Sequence, residues 1–169
     1  MTFWRLYYHL TWATKNREPL IELEMEEQLY AYLVRKAAEL DVYFYAVNGW
    51  HDHLHVIAAI PPKHAVADVV KHLKGASAHY VNHDLHAAAQ FQWQRGYGAL
   101  TLGKKQKTRA VEYVQRQKRH HEQHTTNAWL ERADEFDEGP VDCGLAGDHV
   151  PAELREQRTT YDALGEFPF

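Results

Sequence analysis

Residues 42–50 and 53–60 read VYFYAVNGW and HLHVIAAI, and the prediction of the fold starts from these two runs. Both runs are rich in β-branched and aromatic residues, which favour strands. Asn48-Gly49 is typical of a turn, and Pro61-Pro62 ends the second run. The stretch therefore predicts two adjacent strands with a turn at 48–49.

The sequence on either side of these strands alternates between strand and helix patterns. Residues 3–13 alternate apolar and polar positions with a period of two, and residues 22–40 carry apolar residues at helical spacing. Further along, the patterns predict a helix over about 65–88, a glycine-interrupted strand over 91–102 and a basic helix over 107–124. The order β-α-β-β-α-β, followed by a further helix, predicts an α+β ferredoxin-like sandwich with an antiparallel β-sheet and helices on one face.

Length and composition limit the classes of protein to consider. The chain has 169 residues, 45% of them hydrophobic and 25% charged, which fits one globular domain with a modest extension. No run approaches the roughly 20 apolar residues of a membrane span, and the first residues do not resemble an export signal, so we expect a cytoplasmic protein with no membrane partner. Cys143 is the single cysteine, which excludes an internal disulfide and a thiolate zinc cluster.

Charge is unevenly distributed along the chain. Residues 63–119 carry 11 basic and 3 acidic groups, whereas residues 120–169 carry 3 basic and 12 acidic groups. A basic middle third is compatible with a nucleic-acid ligand, although a solvated basic helix face has the same composition. The change in composition divides the chain into a domain over 1–125 and an acidic extension over 126–169, with short helices expected near 127–137 and 151–164.

The stretch Trp50–Ile57, WHDHLHVI, contains a candidate metal motif. Side chains two apart in a strand share a face, so His53 and His55 can present two imidazoles to one divalent ion. His51 and His53 are the competing pair, and ordinary strand histidines are the alternative to ligation. Asp52 either orients a ligand or is a solvated carboxylate.

Tyr113 and Gln117 are four residues apart on the predicted basic helix and therefore project from the same face. Arg109, Arg116 and Arg119 lie on the same helix. A tyrosine at this spacing is also compatible with simple packing and a solvated hydroxyl.

Five blocks of this sequence resemble the single-tyrosine HUH transposases of the IS200/IS605 type and their REP-associated relatives. In the order of that family they are YYHLTWATKNREPLI (7–21), DHLHV (52–56), LKGASAHYVN (73–82), FQWQRGYGALTLG (91–103) and AVEYVQRQKRHH (110–121). The resemblance covers about residues 5–125. Within it, the aromatic-glycine block and the tyrosine block are more diagnostic than the two histidines alone.

The resemblance implies that His53, His55 and Gln117 bind a metal and that Tyr113 is the nucleophile. Attack on a DNA phosphodiester would leave a 5′-phosphotyrosine and a free 3′-OH, and the reverse attack by another 3′-OH would rejoin strands. Open sites rich in oxygen ligands suit Mg²⁺ or Mn²⁺. The implied function is metal-dependent single-strand DNA cleavage and rejoining next to hairpins, in DNA transposition.

The resemblance also implies partners: single-stranded DNA with hairpin ends, and a second copy of the chain in a homodimer whose tyrosine helices could act in trans. The connection 103–107 is polar and contains Gly103, so the tyrosine helix could dock on its own subunit or on the other. The basic residues expected to contact DNA phosphates are Lys104, Lys105, Lys107, Arg109, Arg116 and Arg119.

Three other functions remain open from the sequence. A domesticated relative would process chromosomal palindromes without moving its own element. An inert member of the same fold would only bind DNA hairpins as a regulator. A small-molecule-sensing ferredoxin-like domain would leave the basic middle third and the tyrosine helix without a role.

Overall fold

The computed structural model describes residues 3–87 and 89–133 of the chain. Within them the strands and helices alternate in the predicted order. The strands are β1 (Tyr7–Ala13), β2 (Tyr43–Trp50), β3 (His53–Ala59) and β4 (Gly98–Leu102), and the helices are α1 (Leu23–Glu39), α2 (Val66–His83), α3 (Lys104–Gln115) and α4 (Gln117–Glu122). This arrangement confirms the predicted α+β class.

The strands form one antiparallel sheet in the order β2-β3-β1-β4. β3 is therefore central, with β1 on one side and β2 on the other. The register places Thr11 of β1 and Asn48 of β2 opposite His55. This pairing fixes the position of the predicted histidine motif in the middle of the sheet.

One face of the sheet is apolar and is covered by α1 and α2. Leu10, Trp12, Leu54 and Val56 alternate along β1 and β3 and pack in one buried cluster with helix residues, among them Leu29, Leu33, Val70 and Leu73. Full burial of each such side chain contributes about 1.5–3 kcal/mol. This cluster makes the sheet a rigid support for the residues on its other face.

The opposite face is polar and is partly covered by α3 and α4. Because side chains alternate along a strand, His9, Thr11, His53 and His55 point away from the apolar cluster, and all four are buried. Ala110 and Val114 are the buried apolar residues of α3. The tyrosine-bearing helix and the histidines thus meet on this face.

The predicted turn at Asn48-Gly49 is wrong. Both residues belong to β2 and pair with β3, and the chain turns at His51-Asp52 instead. A Cβ at Gly49 would lie 2.2 Å from the backbone oxygen of His53. Glycine is required there because the two strands approach closely, and not because of turn geometry.

The predicted strand over 91–102 is shorter, since only Gly98–Leu102 pairs with β1. The segment before it is held by side chains of α2. The ammonium of Lys74 donates to the carbonyl oxygens of Gln94, Arg95 and Gly96 at 2.6, 2.8 and 2.9 Å. One lysine of α2 thus holds the segment before β4 in place.

The predicted basic helix over 107–124 begins earlier and is interrupted. Helix α3 starts at Lys104, and Arg116 separates it from α4. The predicted polar connection 103–107 is therefore mostly helical, and Gly103 alone joins β4 to α3.

Residues 128–131 of the acidic extension form a turn. The rest of the helix expected near 127–137, and all of the one expected near 151–164, lie outside the described residues. The boundary expected between 125 and 126 stays a prediction. Among the described residues, none of the helices combines the length and apolar character needed to cross a membrane.

Candidate active site

His53 and His55 lie side by side on β3, with ring centroids 5.1 Å apart and exposed fractions of 1% and 0%. The structure thus places this pair, and not His51, at the centre of the polar face. His51 is exposed, and its Nδ1 lies 3.4 Å from the Ile21 carbonyl oxygen. The register favoured by the sequence is the one that forms the cluster.

Asp52 orients the ring of His53. Its Oδ1 accepts a hydrogen bond from His53 Nδ1 at 2.6 Å, and its Oδ2 accepts one from Arg17 at 3.1 Å. Burial favours the neutral acid, but the contacts with His53 and Arg17 hold the pKa of Asp52 below its usual range. Of the two roles considered for Asp52, the structure favours orientation of a ligand.

His55 is oriented by two residues of β1. Its Nδ1 lies 2.9 Å from Thr11 Oγ1 and 2.9 Å from His9 Nε2. The Thr11 hydroxyl donates to the carbonyl oxygen of Leu130 at 3.1 Å, so its oxygen accepts the proton of His55 Nδ1. Burial lowers the pKa of His55 and brings that of His9 to about 3. His55 therefore presents Nε2 to the centre of the site.

Gln117 begins α4 and is fully buried beside the two imidazoles. Its Nε2 lies within hydrogen-bond distance of His55 Nε2 (2.9 Å), His121 Nε2 (3.2 Å) and Glu131 Oε1 (2.6 Å). An amide nitrogen has two protons for these three neighbours, whereas Gln117 Oε1 has no partner among the described residues. A half-turn of the amide would direct that oxygen into the cluster, as a ligand for a cation requires.

Glu131 is the residue that the sequence analysis missed. Its Oε2 lies 2.8 Å from His53 Nε2 and 3.1 Å from His55 Nε2. Ligand atoms of the three residues all lie within 4.8 Å of one another. Burial opposes the charged carboxylate, but its contacts with the imidazoles of His53 and His55 hold its pKa far below the usual range.

Both ring nitrogens of His53 face carboxylates, those of Asp52 and Glu131. Although burial opposes the charged imidazolium, these two contacts raise the pKa of His53. Two imidazoles, a carboxylate and an unpartnered amide oxygen form a donor set that fits Mg²⁺, Mn²⁺ or a similar divalent ion. The residues present therefore fit a metal centre.

Tyr113 meets the same carboxylate from α3. Its hydroxyl donates to Glu131 Oε1 at 2.8 Å and accepts from the backbone N–H of Asn127 at 3.1 Å. The ring of Tyr113 stacks on His120, with centroids 4.7 Å apart. Burial is the largest cause of a raised pKa at Tyr113. The predicted nucleophile and the histidine pair are brought together within one chain.

The predicted DNA-contacting residues are distributed along α3 and α4. Lys104, Lys105 and Arg109 are exposed at the start and middle of α3, and Arg116 and Arg119 are exposed at and after the break. Lys107 is half-buried, with its ammonium 4.0 Å from the centre of the Tyr45 ring. The helices thus present positive charge to solvent beside Tyr113, whereas the ammonium of Lys107 lies over the Tyr45 ring of β2.

Residues 2–117 match the protein family described as Transposase IS200 like. The ISDra2 transposase TnpA of Deinococcus radiodurans is 28% identical over 122 residues, which cover 68% of this chain and 85% of that protein. The transposase for insertion sequence element IS200 of Salmonella typhimurium is 28% identical over 109 residues, covering 61% and 71%.

Two solved structures share the fold. One is a crystal structure of a Deinococcus radiodurans R1 protein described as a transposase, with a TM-score of 0.53 and 28% identity over 69% of this chain and 93% of that one. The other is a REP-associated tyrosine transposase bound to a REP hairpin, with a TM-score of 0.54 and 13% identity over 90% and 100%, a similarity of fold alone. Since the family match spans more than half of the sequence, this chain belongs to the IS200-like transposase family.

Proposed function

We propose that this transposase cleaves and rejoins single-stranded DNA next to hairpins, with a divalent metal and a 5′-phosphotyrosine at Tyr113. One observation carries the proposal. The Tyr113 hydroxyl and the Nε2 atoms of His53 and His55 all converge on the carboxylate of Glu131, at 2.8, 2.8 and 3.1 Å. A nucleophile and a set of metal ligands are therefore within reach of one phosphodiester.

His53, His55, Gln117 and Glu131 would hold the metal. When bound, a divalent ion at this site would withdraw charge from the scissile phosphate and so favour attack by a phenol. Asp52 and Thr11 would keep the two imidazoles in place through their Nδ1 atoms. This support matters because an imidazole that rotates away no longer directs its Nε2 atom at the ion.

In the cleavage step, Tyr113 Oη forms a bond to phosphorus and the bond from phosphorus to the 3′-oxygen breaks. Glu131 Oε1 already accepts the hydrogen bond of the phenol and would orient it, and the phenolic proton would pass to solvent as the new bond forms. The released 3′-oxygen takes up a proton from solvent and becomes a 3′-OH, so the step as a whole leaves the number of protons unchanged. Rejoining is the reverse step with a different 3′-OH, so no ATP is required.

The DNA ligand is proposed to be a folded single strand. The exposed basic residues of α3 and α4 support phosphate contacts, and the likeness of fold to a REP-associated transposase bound to a REP hairpin supports a hairpin. Binding through these residues should weaken steeply as salt is raised. Affinity that does not change with salt would contradict a phosphate-dominated interface.

The placement of Tyr113 beside its own histidines supports action within one subunit. A homodimer with exchanged tyrosine helices stays a prediction, and it would require α3 to swing about Gly103. Mixing Tyr113→Phe with His53→Ala/His55→Ala chains tests it, because trans sites would restore activity in mixed dimers and cis sites would not.

The proposed function is tested with single-stranded oligonucleotides that carry palindromes from the DNA flanking the gene. Incubation with Mn²⁺ should give a covalent protein–DNA adduct that survives denaturant. His53→Ala and His55→Ala should give none, and His51→Ala should resemble the parent. Hairpin binding without any adduct would instead favour the inert regulator.

A further inference from the structure

His121 lies on the side of α4 that faces His53, one helical turn after Gln117. Its Nε2 is 3.2 Å from His53 Nε2, 3.2 Å from Gln117 Nε2 and 3.7 Å from Glu131 Oε2. It therefore touches three of the four residues expected to hold the ion. We propose that His121 is a third imidazole ligand of the metal centre. The proposal rests on the metal-dependent function proposed above.

The distances agree with ligands that share an ion. Metal–nitrogen bonds are about 2.0–2.1 Å, so neighbouring ligand atoms in tetrahedral or octahedral geometry lie about 2.9–3.5 Å apart. The separations of His121 Nε2 from His53 and Gln117 fall within that range, and its 3.7 Å separation from Glu131 Oε2 is slightly longer. A simple hydrogen bond between His121 and His53 would give the same distance, and the experiment below separates the two.

Trp50 holds the ring of His121 in this orientation. The two rings are stacked, with centroids 5.1 Å apart and an interplanar angle of 9°. Trp50 is the β2 residue paired with His53, so the strand that carries this support is fixed relative to the metal motif. The stack gives His121 a defined position although its helix is short.

A third imidazole changes the metal that the site prefers. Three nitrogen ligands with one amide and one carboxylate suit Mn²⁺, Co²⁺ or Zn²⁺ better than Mg²⁺, which prefers oxygen. We therefore expect Mn²⁺ to bind to the DNA-free protein well below the Mg²⁺ concentration needed for the same occupancy.

The test counts imidazoles on Mn²⁺ bound to the full chain, by pulsed electron paramagnetic resonance, with affinity from calorimetric titration. His121→Phe keeps an aromatic ring against Trp50 but removes the nitrogen. The parent should show three coupled imidazoles and His121→Phe two, with affinity lowered about 10-fold or more. His124→Asn, at an exposed residue after α4, is the matched control and should retain three.

Two coupled imidazoles in the parent, with unchanged affinity in His121→Phe and normal adduct formation, would overturn the role of His121 and leave the proposed function intact. If the parent binds no Mn²⁺ and forms no adduct, the proposed function is wrong and this inference fails with it. An unchanged circular dichroism spectrum would show that His121→Phe is folded. Its Mn²⁺ affinity then reports on the role of His121 and not on a loss of structure.

Discussion

Tyr113 and Glu131 are joined by a 2.8 Å hydrogen bond from the phenol to Oε1 of the carboxylate. The other oxygen of Glu131 contacts both histidines of β3. A single side chain from the segment after α4 thus links the proposed nucleophile to the proposed metal ligands. The geometry leads to five predictions.

Glu131→Gln should weaken the binding of Mn²⁺ about 10-fold or more, because a neutral amide replaces a charged ligand. Adduct formation at limiting Mn²⁺ should fall in parallel and recover partly at high Mn²⁺. Calorimetry and an adduct gel check this. Glu122→Gln, at an exposed position at the end of α4, is the control. Unchanged affinity in Glu131→Gln would remove Glu131 from the metal centre.

Thr11→Val should destabilise the protein by about 1–3 kcal/mol, because the carbonyl of Leu130 loses its donor and His55 Nδ1 loses an acceptor. Looser orientation of His55 should also weaken Mn²⁺ binding. Denaturant unfolding measures the first effect. Thr101→Val on β4 is exposed and should change stability by less than about 0.5 kcal/mol. Equal effects at the two threonines would contradict the role given to Thr11.

Gly49→Ala should be strongly destabilising, by about 3 kcal/mol or more, since its Cβ would meet backbone atoms of His53 and Leu54 at 2.2 and 2.7 Å. Gly75→Ala is the matched control, because no atom lies within 4 Å of a Cβ there and α2 gains helix propensity. It should stabilise by about 0.5–1 kcal/mol. Thermal unfolding distinguishes the two, and a tolerated Gly49→Ala would show that β2 and β3 can separate.

Lys74 should make stability depend on pH above neutrality. Burial lowers its pKa from an ordinary 10.5 to about 8. Between these values the unfolded chain binds more protons, so the free energy of unfolding contributed by Lys74 rises with pH from about 8 to 10.5. The free energy of unfolding of the parent minus that of Lys74→Met should therefore increase across this range. A constant difference for Lys74→Met would contradict the lowered pKa.

Local patterns predict the parts of the site that lie within one element. His53 and His55 follow from the two-residue period of a strand, and Tyr113 and Gln117 from helical spacing, and the structure brings all four together. Glu131 could not be found this way, because its contact with His55 spans 76 residues and depends on the path of the chain after α4. In sequence it is one carboxylate among many in an acidic segment.

The error at Asn48-Gly49 has a similar origin. The dipeptide favours turns because of the backbone freedom of its residues, yet here the absence of a Cβ allows two strands to pair closely. Whether a glycine serves for its backbone freedom or for its missing Cβ depends on the strand that packs against it. That packing is a tertiary contact, which the local sequence does not contain. The interruption of the basic helix at Arg116 likewise has no marker such as proline or glycine in the sequence.

The most direct test of the central claim is to locate the covalent bond to DNA. The parent protein is incubated with Mn²⁺ and a hairpin-bearing single strand, digested, and analysed by mass spectrometry for a peptide that carries a nucleotide 5′-phosphate. We expect this modification on Tyr113, and we expect Tyr113→Phe to retain hairpin binding but to form no adduct. An adduct on another residue, such as Tyr80 or Tyr97, or an adduct that persists in Tyr113→Phe, would contradict it.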